Sequence, residues 1–297
     1  MGVELMLVAV VVLFAFAVAD LMVGVSNDAV NFLNSSLGSR VAPRHVILTI
    51  ASFGILVGVV FSGGMMEVAR KGIFHPQLFT MPELITIFLA VMMTDILLLD
   101  LFNTFGLPTS TTVSIVFELL GAAVVVSLLK IAQSADGAAD LGTYINSAKA
   151  MTIIGGILLS VIVAFLCGAL VQFLSRLLFT FDYRQRLKRY GSLWGGVAMA
   201  SITYFILVKG AKGAAFLDAD DVAWIKSNTL PVLLGIFAVS AVVLQIMQWL
   251  GVHILKPVVL VGTFALALAF AANDLVNFIG VPLAGLHAYQ AAVVTDD

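Results

Sequence analysis

An Asn-Asp-x-x-Asn tetrad occurs twice in the sequence, and each copy lies inside a segment of apolar residues. The second copy begins 246 residues after the first, and the polar positions of the two tetrads are Asn27, Asp28, Asn31, Asn273, Asp274 and Asn277. A charged side chain at the centre of a bilayer raises the free energy of insertion by about 2.5 to 3.5 kcal/mol. Because the same polar set occurs twice, the pattern predicts a duplicated binding element near the middle of a membrane. The alternative is that both tetrads cap helix ends at the membrane interface.

A row of hydroxyl side chains follows a chain break in the stretch FNTFGLPTSTT, residues 102–112. Gly106 and Pro108 interrupt the apolar pattern, which predicts a helical hairpin. A helix amino terminus has free amide groups and a partial positive charge, so it can bind an anion without Lys or Arg. We therefore expect a helix cap followed by three anion-binding hydroxyls, namely Thr109 and then Ser110, Thr111 and Thr112. The alternative is an ordinary cap with solvated hydroxyls.

Six carboxylates lie within apolar segments, where the sequence places no Lys or Arg at comparable depth: Asp20, Asp28, Asp95, Asp100, Glu118 and Asp274. Buried carboxylates without a basic partner must be protonated, hydrated or bound to cations. Carboxylate and amide oxygens suit a hard cation. We predict that Asp28 and Asp274 bind the cation, Na⁺ or H⁺, and that the four tetrad asparagines bind cation or substrate. Together with the hydroxyl-rich hairpin, this pattern predicts a cation-coupled anion transporter.

The composition is that of an integral membrane protein, with 61% hydrophobic residues, 11% charged residues and a mean hydropathy of +1.12. The formal net charge is −2, so the chain lacks the basic stripe that nucleic-acid binding requires. The single cysteine, Cys167, excludes an internal disulfide and a cysteine metal site. We expect no cofactor and no enzymatic activity.

A membrane span needs about 20 apolar residues, and this length predicts eight segments, at residues 3–24, 46–62, 84–101, 110–130, 150–180, 192–208, 229–250 and 256–280. The loop at residues 181–191 carries the densest cluster of basic residues, which predicts that it is cytoplasmic. Segments 1 and 8 then run in opposite directions, as in an inverted-topology repeat. The predicted organisation is a first repeat at 1–180, connecting helices with the basic loop at 181–255, and the start of a second repeat at 256–297.

With these residues in place, the sequence resembles the inorganic phosphate transporter (PiT) family. The resemblance rests on VSNDAVNF at 25–32, GLPTSTT at 106–112 and AANDLVNFIGVPLAG at 271–285, with a further likeness in YFILVKGAKG at 204–213. It implies an all-α, polytopic helical bundle with inverted repeats, broken helices and a helical hairpin. It also implies Na⁺- or H⁺-coupled uptake of phosphate, with the six tetrad residues, Ser110, Thr111 and Thr112 at one central site.

One feature departs from the family pattern. Ser110 follows Asn27 by 83 residues, whereas only 24 residues follow Asn273, so a second hairpin has no room. We therefore expect a truncated member of the family with an incomplete second repeat. A natural short form completed by oligomerisation, for instance a homodimer, is the alternative.

Three other functions would fit part of this pattern. A sulfate permease would share the architecture, because both anions are tetrahedral oxyanions. An intramembrane aspartyl protease would need a dyad from Asp95, Asp100 and Asp274, but its Gly-x-Gly-Asp pattern is absent. An ion channel would not need a duplicated site. The expected partners are inorganic phosphate, a sodium ion or proton, and the lipid bilayer, and the expected location is the plasma (inner) membrane.

Overall fold

A computed structural model describes residues 2–60, 72–133, 140–213 and 219–296. This part of the chain is almost entirely helical, with one 3₁₀ turn at Pro76–Leu78 and an isolated bridge between Phe74 and Ile145. In chain order the helices are α1 (Val3–Gly38), α2 (Arg44–Val60), α3 (Met81–Thr104), α4 (Thr111–Gln133), α5 (Leu141–Tyr144), α6 (Ser147–Phe179), α7 (Tyr183–Gly213), α8 (Ala219–Ser227), α9 (Thr229–Trp249), α10 (Leu255–Asn273) and α11 (Leu275–Asp296).

Seven stretches within the described residues are long and apolar enough to cross a membrane: α1, α3, α4, α6, the first part of α7, α9, and α10 with α11. The prediction of an all-α, multi-pass membrane protein is confirmed. The second predicted segment corresponds to α2, a shorter apolar helix of 17 residues, and its last two positions, 61 and 62, lie outside the described residues. The inverted topology and the three-part organisation remain predictions.

The structure differs from the predicted segments in three places. First, α1 continues through the tetrad to Gly38, because polar side chains do not by themselves stop a helix. Second, the predicted basic loop is mostly helical: α7 begins at Tyr183, so its first turns carry the basic side chains Arg184, Arg186, Lys188 and Arg189. Third, the last segment is interrupted at Asp274, where α10 ends and α11 begins. The interruption is the broken helix that the family resemblance implies.

The chain forms two compact units: one comprises Met1–Val30, Met65–Leu158 and Asn273–Asp297, and the other comprises Asn31–Gly64 and Leu159–Ala272. In the first unit, α11 packs against α3 and α4, which also pack against each other. The core contains residues from all three helices and from α1.

One face of α1 is buried along its length within the first unit. Met6, Leu13 and Ala17 belong to the apolar core, and the fully buried Asp20 and the buried Asn27 continue the same face. Residues three or four positions apart lie on one side of a helix. The face that packs against the core therefore changes from apolar to polar partway along α1, and this change places acidic and amide groups inside the unit.

In the second unit, α2 approaches α10 closely. A Cβ atom on Gly54 would lie 2.5 Å from the carbonyl oxygen of Phe264, and a Cβ atom on Gly58 would lie 2.5 Å from that of Leu268. Small residues at such contacts let helix backbones approach within a membrane. The two glycines therefore allow the tight packing of α2 on α10.

A pair of contacts reflects the duplication seen in the sequence. Within the first unit, a Cβ atom on Gly24 would lie 2.2 Å from the Phe278 ring; within the second, the rings of Phe32 and Phe270 are 5.2 Å apart. Under the offset of 246 residues that aligns the tetrads, Gly24 corresponds to Phe270 and Phe32 to Phe278. Both copies of the motif thus use the same pair of positions for packing, which supports the predicted duplication.

Candidate functional site

The first tetrad holds the turn of the predicted hairpin through the Asn27 side chain. Asn27 Nδ2 donates to Asn103 Oδ1 at 2.8 Å and to the carbonyl oxygen of Leu107 at 3.1 Å, and the Thr109 amide donates to Asn27 Oδ1 at 3.1 Å. Asn103 in turn donates to the Val23 carbonyl oxygen at 2.9 Å. Both amide hydrogens of Asn27 are therefore used within the protein. The side chain that the sequence marks as a ligand is also the clamp that fixes the turn between α3 and α4.

The second tetrad contacts the first turn of α4. Thr112 Oγ1 donates to Asp274 Oδ1 at 3.0 Å and accepts a hydrogen bond from Asn277 Nδ2 at 2.9 Å. The break between α10 and α11 makes this arrangement possible, and the backbone amide of Asn277 donates to the Asp274 carbonyl oxygen at 3.0 Å. The structure thus brings together three of the predicted site residues, one from the hairpin and two from the tetrad.

The hydroxyl groups at the start of α4 have different surroundings. Ser110 is exposed, and its Oγ accepts from the Val113 amide at 3.4 Å. This makes Ser110 the helix cap, where the sequence predicts Thr109; the difference arises because α4 begins at Thr111, so Ser110 is the flanking residue. Thr111 is 1% exposed, and no described residue hydrogen-bonds to its Oγ1. The row therefore offers one accessible hydroxyl, one bridging hydroxyl and one buried hydroxyl.

The remaining tetrad residues are placed as follows. Asp28 is buried on α1, one residue after the clamp Asn27. Asn31 is exposed on the same helix. The side chain of Asn273 lies outside the part of the chain that the structure describes, so its predicted role is not addressed by the geometry.

The carboxylates within apolar segments separate into different environments. Asp95 and Asp20 are fully buried and adjoin each other, and Glu118 lies beside Asp95. Asp100 is exposed on α3, and Asp274 contacts Thr112. The three carboxylates considered for a protease dyad, Asp95, Asp100 and Asp274, thus have different neighbours. Within the described ranges, no group of three or more His, Cys, Asp and Glu side chains is arranged to hold a metal ion.

Two polar residues of this region were not singled out from the sequence. Asn103 bonds to the clamp residue Asn27, and Ser114 lies between Asp95 and Glu118. The four-residue spacing of Ser114 and Glu118 is a signal that could have indicated Ser114. For Asn103 the only signal is its place just before the Gly-Leu-Pro turn, since its partner is distant in sequence.

Comparisons with known proteins identify relatives of this chain. A sequence model described as the phosphate transporter family matches residues 24–297. A protein of Pyrococcus abyssi named as a candidate phosphate permease is 27% identical over 277 aligned residues, which cover 88% of this chain and 62% of that protein. Its counterpart in Pyrococcus furiosus is 26% identical over 273 residues, covering 88% and 61%. The chain thus spans about three fifths of the length of these relatives.

A solved structure described as the sodium-dependent phosphate transporter has the same fold. It aligns with a TM-score of 0.67 at 17% sequence identity and covers 98% of this chain and 69% of that chain. The match to the family sequence model extends over most of the chain and includes both tetrads and the hairpin. The chain therefore belongs to the phosphate transporter family.

Proposed function

We propose that the protein is a secondary transporter that moves inorganic phosphate across the membrane together with Na⁺ or H⁺. The observation that carries this proposal is the contact of Thr112 with both Asp274 and Asn277, which joins the hydroxyl-rich helix start to a tetrad. Family membership and the names of the similar proteins support phosphate as the substrate. Transport by symport, and the choice of coupling ion, are part of the proposal.

The proposed phosphate site is the amino terminus of α4. The sequence has no Lys or Arg between Glu83 and Lys130, so the hairpin supplies no cationic side chain to a bound anion. The free amide groups and the partial positive charge of the helix start are then the attractive elements. Ser110 and Thr111 would donate hydroxyl hydrogen bonds, while Asn27 would keep the turn in the conformation that presents them.

The proposed cation site involves Asp274 and Asp28. Carboxylate and amide oxygens are ligands that suit Na⁺, and Asp274 lies beside both Thr112 and Asn277. A cation bound here would offset the negative charge of the carboxylate and reduce its repulsion of phosphate bound at the start of α4. Coupling between the two substrates would follow from this shared charge balance.

The test is uptake of radiolabelled phosphate by proteoliposomes that contain the complete protein. Na⁺ is compared with choline outside, with and without a pH gradient, and excess sulfate is the competitor. We expect saturable uptake that depends on Na⁺ or on the pH gradient and that sulfate does not suppress. Strong competition by sulfate would instead identify a sulfate permease. The absence of cation dependence would contradict symport.

We also propose that the transporter acts in the plasma (inner) membrane, where uptake of phosphate from outside requires it. The seven apolar stretches within the described residues establish a multi-pass membrane protein. Fractionation of cells that express a tagged chain would test the particular membrane. A homodimer remains a prediction, to be tested by the mass of the purified protein in detergent.

A further inference from the structure

A cluster of three carboxyl groups lies inside the first unit, apart from the tetrads. Ser114 Oγ lies 2.5 Å from Asp95 Oδ1 and 2.7 Å from Glu118 Oε1. Asp20, from α1, adjoins Asp95 and is fully buried. Three helices thus each contribute one carboxyl group to the cluster, and α4 also contributes the serine that bridges two of them.

The hydrogen bonds in this cluster require protons that ionised carboxylates do not have. A serine hydroxyl carries one hydrogen, so Ser114 can donate to only one of its two carboxyl neighbours. The other short contact needs a hydrogen on the carboxyl group itself. Asp20 presents the same requirement, because neither of its oxygens has a hydrogen-bond donor among the described residues. A proton on Asp20 or on Asp95 would supply the missing bond between them.

The charge of the cluster leads to the same conclusion. Three ionised carboxylates in contact would place three negative charges in a low-dielectric interior, where charged groups must be paired or neutralised. The nearest basic residue on α4, Lys130, is paired with Glu83 and does not involve the cluster. The described side chains also form no metal-holding arrangement of acidic groups. Protons are therefore the cations that fit this geometry.

We infer that Asp20, Asp95 and Glu118, bridged by Ser114, form a buried proton-binding site that is distinct from the tetrad site. The site binds protons whether or not phosphate is present. A role for this site in the transport cycle rests on the proposed function. In that case the transporter would have two places that bind cations, the proton site and the cation site at Asp28 and Asp274.

The least buried member of the cluster, Glu118, lines a groove. The groove lies between α3 and α4, has a volume of about 750 Å³ and is lined mostly by apolar side chains. Glu118, Ser114 and Thr109 all line it, so it extends from the hairpin turn to the cluster. Glu118 is thus the member of the cluster that lies nearest to the protein surface, whereas Asp20 and Asp95 are fully buried.

The cluster also has a mechanical connection to the hairpin. Ser114 lies two residues after Thr112 on α4, and its backbone amide donates to the Ser110 carbonyl oxygen at 3.0 Å. A change in protonation that separates or draws together Asp95 and Glu118 would act on the same helical turn that contacts Asp274. This position lets protonation affect the start of α4 without any contact with the tetrads.

Other titratable groups on the packed helices lie elsewhere. On α3, Glu83 is paired with Lys130 of α4, and Asp100 is exposed. At a rise of about 1.5 Å per residue, Lys130 is roughly 18 Å along α4 from Glu118. On α1 the remaining groups are the exposed Glu4 and the tetrad residue Asp28, and Asp274 precedes α11. On α11 they are the exposed His287, the half-buried Tyr289, which packs against the core, and Asp296. On α11 the face packed in the core is apolar, with Val281, Ala288 and Ala292.

The test is infrared spectroscopy of the purified complete protein in phosphate-free buffer. The carbonyl absorption of protonated carboxyl groups is measured as the pH is varied. We expect wild type to show this absorption at neutral pH and to lose it at alkaline pH. The double variant Asp20→Asn with Glu118→Gln should weaken and shift this absorption, because two of the three carboxyl groups of the cluster are gone and Asp95 keeps only amide and hydroxyl partners. Asp100→Asn, which removes an exposed carboxylate from α3, is the matched control and should leave the absorption unchanged.

A second pair of variants keeps the test decisive if the double variant does not fold. Ser114→Ala should shift the absorption by removing the bridge, and Ser114→Thr, which retains a hydroxyl, should restore it. The inference is wrong if wild type shows no such absorption, if the Ser114→Ala spectrum is unshifted, or if Na⁺ at constant pH displaces the absorption. The spectra are recorded without phosphate, so they test proton binding by the cluster and not phosphate transport. A failure of phosphate uptake would contradict the proposed function without contradicting proton binding by the cluster.

Discussion

The hydroxyl of Thr112 donates a hydrogen bond to the carboxylate of Asp274, a residue 162 positions later in the chain. Asn277 donates to the same hydroxyl, so the threonine is held from both sides. The contact joins the amino terminus of α4, which suits an anion, to an acidic group that suits a cation. Binding of phosphate at the start of α4 would therefore affect binding of the cation at Asp274 through a single side chain, and the reverse.

Removing the Thr112 hydroxyl tests this connection. In Thr112→Val the Asp274 carboxylate and the Asn277 amide each lose a partner, and an unsatisfied buried polar group costs about 1 to 3 kcal/mol. We expect the apparent affinity for phosphate to fall by at least about tenfold, which corresponds to ~1.4 kcal/mol, with Thr112→Ser close to wild type. Uptake kinetics would measure this, with Thr152→Val, an exposed threonine on α6, as the control. Equal kinetics for the Thr112→Val and Thr152→Val variants would refute the connection.

Neutralising the tetrad carboxylates tests the cation site. Asp28→Asn and Asp274→Asn keep the size of each side chain and remove its charge, so a Na⁺ or H⁺ that balances that charge is no longer bound. We expect phosphate uptake to lose its dependence on the coupling ion, as measured by varying Na⁺ and pH outside the proteoliposomes. Asp100→Asn, on the exposed side of α3, should retain the dependence. Cation dependence that survives in both tetrad variants would disprove the assignment.

Removing two hydroxyls from the start of α4 tests the phosphate site. The double variant Ser110→Ala with Thr111→Ala should raise the phosphate concentration needed for half-maximal uptake, because the anion loses two donors. A net hydrogen bond to a charged group contributes about 1.5 to 3 kcal/mol, so the increase should be at least tenfold. An unaltered half-maximal concentration would mean that these residues serve only as a helix cap.

The clamp formed by Asn27 predicts a loss of stability. In Asn27→Ala the turn between α3 and α4 loses three hydrogen bonds, and Asn103, Leu107 and Thr109 are left with unused polar groups. We expect the free energy of unfolding to fall by on the order of 3 kcal/mol, seen as a lower melting temperature in detergent. Asn34→Ala removes an exposed side chain of the same type from α1 and should have a much smaller effect. Equal melting temperatures for the two variants would argue against a clamp.

Close packing of α1 on α11 predicts a second loss of stability. A Cβ atom on Gly24 would lie 2.2 Å from the buried Phe278 ring, whereas Gly121 on α4 has no atom within 4 Å of such a position. Overpacking typically costs about 1 to 3 kcal/mol, so Gly24→Val should destabilise the protein far more than Gly121→Val. Melting temperatures of the two variants would measure the difference. Similar values would show that the Phe278 ring can move aside.

The helices were predictable because each depends on its own stretch of sequence. The apolar run that predicts a span at 84–101 becomes α3 with ends only three residues away, at Met81 and Thr104. The basic residues after Tyr183 were expected in a loop, yet they form the start of α7. Charge identifies a membrane boundary, but it does not determine whether the chain there is helical.

For the site, the sequence predicted which residues belong to it but not which of them contact each other. The sequence indicates that the tetrads and the hydroxyl row belong together, but Asn27 and Asp274 have different partners in the fold, and nothing in their nearly identical motifs shows this. Among the acidic residues, Asp95 and Asp100 are five positions apart and look alike in sequence. They point to different sides of α3, so one joins a buried cluster and the other is exposed.

The sequence by itself determined that this chain is a helical membrane protein with a repeated polar tetrad and a helix amino terminus that can bind an anion. These properties follow from composition, local pattern and spacing. Only the tertiary structure decided which polar groups meet. It places Thr112 beside Asp274, Asn27 beside the hairpin turn, and the carboxyl groups of α1, α3 and α4 in one cluster. These contacts join residues that are distant in the chain, and hydrogen bonding of buried polar groups requires partners that only the packing of helices can supply.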